Sequence, residues 1–197
     1  IFDCILIGEG EEHIVELCRE HRRLRDAGAS RTEMLRALAC VPGTYVPSLY
    51  EVSHEGTCTV HGYTVPRAGE HVPDVVYKRV VADFGATDPV SQSVVPYTEL
   101  VHDRLSIEVL RGCARGCRFC QAGYAYRPVR ARSPQRLIQQ GIEACKNSGY
   151  QEMTLSSLST SDYRALEGLC DGLLDWCEPN KVSLSLPSLR ADNFSLG

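Results

Sequence analysis

Several things are scarce in this sequence of 197 residues, and each scarcity excludes a class of protein. No apolar run approaches the roughly 18 residues that a membrane-crossing helix needs, so no membrane partner is expected. No basic excess exists either. The formal net charge is −4, which gives no global reason to expect nucleic acid or an anionic membrane surface as partner. Ten cysteines fall below the roughly 8–10% that marks a short disulfide scaffold. Three of those cysteines fall within eight residues, which suits a metal site better than a disulfide framework, so a reducing, cytoplasmic setting is expected. Internal repeats and low-complexity tracts are lacking. Hydrophobic residues at 43% and charged residues at 23% are ordinary for a globular protein, which removes disordered, collagen-like and coiled-coil readings.

What is present falls into three textures. Residues 1–40 begin with the apolar run Ile1-Phe2-Asp3-Cys4-Ile5-Leu6-Ile7, a buried-strand candidate. Gly8-Glu9-Gly10-Glu11 follows as a turn with acids suited to a helix start. Ile14, Leu17, Cys18 and Leu24 then recur at near-helical spacing, and Met34, Leu35 and Leu38 mark a second helix over residues 32–39. Residues 41–104 hold six of the ten prolines and read as a β-containing connector, with β-rich runs at 44–52, 57–60 and 75–82. From residue 105 strands and helices alternate: strand 105–110, helix 134–147, strand 152–155, helix 162–177, strand 182–186. Leu166, Leu169, Leu173 and Leu174 form the inner face of the second of those helices. Such alternation predicts parallel βαβ units in an α/β fold. Starting at Ile1 and stopping soon after the last of these strands, the chain reads as a piece of a longer polypeptide.

The cysteines are unevenly placed. Seven are scattered, and three fall within Arg111-Gly112-Cys113-Ala114-Arg115-Gly116-Cys117-Arg118-Phe119-Cys120. A disulfide framework has no need of such a cluster, whereas a metal site does. Thiolates at Cys-x3-Cys-x2-Cys spacing on a compact loop can reach adjacent corners of one metal centre, with Gly112 and Gly116 letting the backbone fold tightly. Three thiolates are one short of a closed four-coordinate zinc or iron–sulfur site. An iron–sulfur cubane on three cysteines keeps one iron open. The alternative is a zinc knuckle or a purely structural cluster. Cys145 and Cys170 lie in expected helices and His102 lies upstream, so none completes a recognisable finger. Cys58 and His61 have a metal spacing without a second pair, and read as a hairpin coincidence. The other scattered cysteines are expected to be small core or surface residues.

Cys113, Cys117 and Cys120, with an aromatic residue before the last and a strand before the first, resemble the radical S-adenosylmethionine (SAM) motif. The resemblance extends through His102-Asp103-Arg104, Gln121-Ala122-Gly123, Arg127-Pro128-Val129-Arg130, Ser156-Ser157-Leu158-Ser159, Asp162-Tyr163 and Ser185-Leu186-Pro187-Ser188-Leu189-Arg190. It is to the uncharacterised radical SAM proteins with a cobalamin-binding-like N-terminal domain, whose end is similar to residues 2–11. The resemblance implies a 4Fe–4S cluster on the three cysteines and SAM chelated at the open iron. One-electron reduction by a flavodoxin- or ferredoxin-type donor would cleave SAM to a 5′-deoxyadenosyl radical. It implies residues 1–40 as the end of a Rossmann-like domain, 41–104 as connector, and 105–197 as the first half of a partial (βα)6 barrel. The missing half would leave this chain inactive by itself.

Further site residues come from the same resemblance. Phe119 is similar to the apolar residue beside the adenine of SAM, or it packs under the loop. The segment after the second barrel strand departs from the family's Gly-Gly-Glu-like pattern. It reads Ser156-Ser157-Leu158-Ser159-Thr160-Ser161-Asp162, making hydroxyls such as Ser157 and Ser159, backbone carbonyls or Asp162 candidates for the SAM amino group, with Ser161-Asp162 equally a helix N-cap. Arg190, after the third strand, is placed where the family sets a polar SAM contact. The cobalamin motif Asp-x-His-x-x-Gly does not occur, so cobalamin has no support here. Between Arg111 and Arg136 stand seven arginines and no acid. This run would contact an anionic substrate, RNA included, or the SAM carboxylate; alternatively it is a solvated face. Aromatic residues are only 7%, and no aromatic-rich RNA signature accompanies the arginines. A methylthiotransferase or methyltransferase acting on RNA or protein is one alternative, and a non-catalytic iron–sulfur or zinc scaffold is another. No catalytic residue is assigned, and substrate is unknown.

Overall fold

Serine caps open two of the helices, at Ser30 and Ser133. The computed structural model describes residues 2–54, 62–87, 92–190 and 192. Two compact units result, Ile1–Ala82 and Asp83–Gly197, so the division falls inside the stretch read as a connector.

In the first unit, strand β1 (Ile5–Leu6) leads to helix α1 (His13–Asp26) and helix α2 (Arg31–Ala39). Ser30 caps α2 reciprocally. Its side chain accepts from the Glu33 amide while the Glu33 carboxylate accepts from the Ser30 amide, which satisfies two otherwise orphan donors. Strand β2 (Thr44–Tyr45) returns antiparallel to β1. Strands β3 (Tyr50–His54) and β4 (Gly62–Pro66) form an antiparallel ladder. Leu35, Ala39, Val46, Leu49 and Tyr50 make the core. The helical pattern of α1 holds for Leu17 and Leu24, which are buried, but Ile14 and Cys18 are exposed. The β-run expected at 75–82 forms no strand and contributes one isolated bridge, Gly8 to Arg79. The run at 57–60, with Cys58 and His61, lies outside the described residues.

The second unit bears out the α/β class. Strands β5 (Leu105–Glu108), β8 (Glu152–Ser156) and β9 (Ser183–Ser185) form a parallel sheet in that order. Helix α4 (Pro134–Ser148) crosses from β5 to β8, and α5 (Leu166–Asn180) crosses from β8 to β9. Between β5 and α4 lie β6 (Leu110–Arg111), the short helix α3 (Ala122–Ala125) and β7 (Arg130–Ala131). The pleat sorts the sheet into two faces. Leu105, Ile107, Met153 and Leu155 are buried among Leu137, Leu169 and Leu173 of the two helices. Ser106 pairs with Thr154, Glu108 with Ser156, and Thr154 with Ser185, so these side chains share the opposite, polar face. Small residues let the layers approach closely. A Cβ on Gly141 would lie 2.9 Å from Ile107 Cδ1, and one on Gly172 would lie 2.5 Å from Ile138 Cδ1.

Two boundary expectations are corrected. Helix α5 begins at Leu166, not near Asp162, because Thr160–Asp162 forms a separate 3-10 turn. Asp162 therefore caps no helix. Its carboxylate is drawn off by an arginine, as described below. Leu174 is exposed on α5, while Leu169 and Leu173 are fully buried.

Candidate functional site

Strand β6 and strand β7 are held to each other by a two-rung ladder, Leu110 to Ala131 and Arg111 to Arg130. The ladder closes off residues 112–129 as a loop beside the C-terminal end of β5. In open α/β sheets that end of the strands is where ligands bind. Gly112 turns the chain at φ +87, and a Cβ there would stand 2.3 Å from the Tyr126 carbonyl. A Cβ on Gly123 would stand 2.5 Å from the Arg115 carbonyl. The two sides of the loop thus touch backbone to backbone, which only glycine permits.

Cys113, Cys117 and Cys120 all sit in this loop as free, half-exposed thiols. The Arg115 amide donates to Cys113 Sγ at 3.4 Å, and the Cys120 amide donates to the Cys117 carbonyl at 3.1 Å. Among the described residues no three His, Cys, Asp or Glu side chains stand together as a ready-made metal shell. The donor chemistry nonetheless fits a thiol-seeking centre. Three soft ligands occupy a segment without a single carboxylate, and one receives an N–H hydrogen bond. Bringing them to one ion requires the loop to close, as ligand sets do on metal binding.

The arginine run is for the most part tied down. Glu108 accepts two bonds from Arg111, at 2.8 and 2.6 Å. Arg111, Arg130 and Arg132 set their guanidiniums 4.6, 5.6 and 4.3 Å from the centre of the buried Phe84 ring, a cation–π cage. Arg132, only 5% exposed, also donates to Thr87. Arg111, Arg130 and Arg132 are thus engaged with Phe84, while Arg118 and Arg127 of the same run stand exposed.

The loops after the three parallel strands are stitched together. The Ser157 and Thr160 hydroxyls bond each other at 2.9 Å, and the Thr160 hydroxyl donates to the Pro187 carbonyl at 2.8 Å. The Thr160 amide donates to the Ser188 carbonyl, and the Arg190 amide donates to the Ser161 hydroxyl. Ser159 is 3% exposed. Arg190 forms a bidentate pair with Asp192. Phe119 stands 93% exposed on the cysteine loop. Arg115, between the first two cysteines, forms a bidentate ion pair with Asp162. This guanidinium holds the Asp162 carboxyl below its ordinary value against the opposing effect of burial. Sequence reasoning missed this pair. Its partners stand 47 residues apart, and no periodicity links a cysteine-loop arginine to a turn after β8.

Comparison with known proteins bears on the first unit. Residues 1–47 match the family model described as radical SAM proteins, N-terminal. This supports placement in the radical SAM superfamily, whose members in general use a 4Fe–4S cluster and SAM. An uncharacterised protein of Methanocaldococcus jannaschii is 36% identical over 89 residues, covering 45% of this chain and 19% of that protein. The chain thus spans about a fifth of that relative's length. Among the described residues no helix is long and apolar enough to cross a membrane.

Proposed function

We propose that this chain is part of a radical SAM enzyme in which Cys113, Cys117 and Cys120 hold a 4Fe–4S cluster. The observation that carries the reading is three free thiols on one glycine-closed loop beside the C-terminal end of the first parallel strand. The family match over residues 1–47 independently supports the superfamily placement on which the reading rests. When bound, the cluster would supply one electron for cleavage of SAM to methionine and a 5′-deoxyadenosyl radical. The residues of the chain do the rest. Phe119 offers an exposed ring to the adenine. Ser157, Ser159 and Arg190 frame the SAM side of the site through the loops after β8 and β9, and the Glu108–Arg111 pair fixes the entry to the loop. Strands β5, β8 and β9 form the first three strands of a partial (βα)6 barrel. A flavodoxin- or ferredoxin-type protein supplies the electron, in the cytoplasm, and the substrate stays unassigned.

The test is electron paramagnetic resonance on anaerobically reconstituted, reduced protein, with and without SAM. A reduced 4Fe–4S signal that changes shape with SAM, and that vanishes in Cys117→Ala, is the expected result. Zinc in place of iron, or a cluster indifferent to SAM, would leave only a metal-binding scaffold.

A further inference from the structure

We infer that Asp162 is a positioning residue for the thiol loop, acting through Arg115. The inference rests on the radical SAM reading only for what the loop finally holds. Residue 115 is fixed in three ways. Its amide donates to Cys113 Sγ at 3.4 Å. Its carbonyl lies against Gly123, close enough that a Cβ there would stand 2.5 Å away. Its guanidinium reaches Asp162 through two parallel N–H···O bonds, with Nε at 2.9 Å. A bidentate guanidinium–carboxylate pair sets orientation as well as distance.

Asp162 itself is firmly seated. It closes the 3-10 turn Thr160–Asp162, its amide donates to the Ser159 carbonyl at 3.0 Å, and Thr160 in the same turn is fully buried. The neighbouring Ser161 hydroxyl accepts from the Arg190 amide. The anchor therefore belongs to the rigid end of the sheet, and the arginine belongs to the loop. Release of the guanidinium frees the Arg115 backbone, and with it the N–H that faces the first thiol. The pair thus ties the conformation of the first two cysteines to the segment after β8.

Two measurements test this, one of which needs no metal. In the full chain without iron, N-ethylmaleimide labelling of each cysteine is followed by mass spectrometry. Asp162→Asn is expected to speed labelling of Cys113 by roughly tenfold through local opening, with buried Cys145 unchanged as the control for global unfolding. The exchanged pair, Arg115→Asp with Asp162→Arg, is expected to restore slow labelling. Should Asp162→Asn expose Cys145 as well, Arg115→Gln decides, since it breaks the pair from the loop side alone. After iron and sulfide reconstitution, the same variants are expected to shift the g-values of the reduced cluster, which a merely stabilising residue would leave in place. Unchanged Cys113 labelling in both single variants overturns the inference. Failure of the parent protein to take up iron overturns the enzyme reading instead, and the labelling series still decides the role of Asp162.

Discussion

Two sets of cysteines in the second unit share a chemistry and differ in everything around it. Cys113, Cys117 and Cys120 lie on a loop, half-exposed, with a backbone amide directed at one sulfur. Cys145 and Cys177 lie on α4 and α5, almost wholly buried within the core that covers the sheet. Burial, and then the neighbouring Cys177, push the Cys145 thiol up to about 11, and burial raises Cys177 too. The comparison separates two uses of one side chain. At helical spacing beside Leu137 and Leu173, cysteine is a small apolar filler. At spacings of four and three on a glycine-closed loop, it is the ligand we propose for the cluster.

The largest effect that tests this contrast is chemical. At neutral pH a thiol held at about 11 instead of 9.0 carries roughly 100-fold less thiolate. Burial then slows the reagent further. An iodoacetamide time course read by mass spectrometry is expected to label the three loop cysteines first. Cys145 is expected to trail by at least about 100-fold until denaturant is added. Equal rates for Cys145 and Cys113 would erase the distinction.

A second test compares glycines of the same two regions. Gly112→Ala forces an L residue to φ +87 and drives a Cβ to 2.3 Å from a backbone oxygen, which cannot retreat cheaply. A loss of about 1–3 kcal/mol is expected, seen as a lower urea midpoint and faster amide exchange over residues 112–129. Gly141→Ala meets the ends of Ile107 and Met153 at 2.9 and 3.0 Å, which are side chains that can shift. Alanine also gains about 1 kcal/mol of helix propensity over glycine, so the midpoint is expected to move little. A larger loss at Gly141 would show the core to be the less forgiving region.

What could be read in advance follows the same division. The βαβ alternation was legible because Leu166, Leu169 and Leu173 recur near a helix's own period, although Leu174, read as part of the same face, is exposed. The strands between the helices alternate at period two. The cysteine cluster was legible from spacing alone. Contacts between segments distant in sequence were not. Asp162 looked like a helix cap because a hydroxyl run followed by an acid before leucines is the local signature of one. The arginine 47 residues away took its carboxylate, and α5 started later. That three arginines of the run face one ring was equally out of reach, because Phe84 lies in the proline-rich stretch and no local pattern ties it to them.

The first unit extends the comparison to a group that titrates nearer neutrality. His13, at the start of α1, is fully buried. Its Nε2 bonds the Thr44 hydroxyl at 2.8 Å, and its Nδ1 has no hydrogen-bond partner in the described structure. Burial chiefly, and then the Arg79 guanidinium, lower its pKa from 6.5, with Glu16 opposing. The neutral ring is therefore the form that the fold accepts, as the neutral thiol is at Cys145. The unfolded chain binds a proton more readily at this position than the folded one does. Stability is thus fully present above about 6.5, declines as pH falls below it, and reaches its lower level once pH passes the depressed native value. Urea midpoints measured from about pH 8 down to about pH 5 are expected to fall across that window. In His13→Gln, which keeps a polar end near Thr44 but carries no titrating proton, the fall over the same window is expected to be shallower. Parallel curves for the two proteins would show that His13 takes no part in the acid response, and that the rule joining the two interiors stops at the thiols.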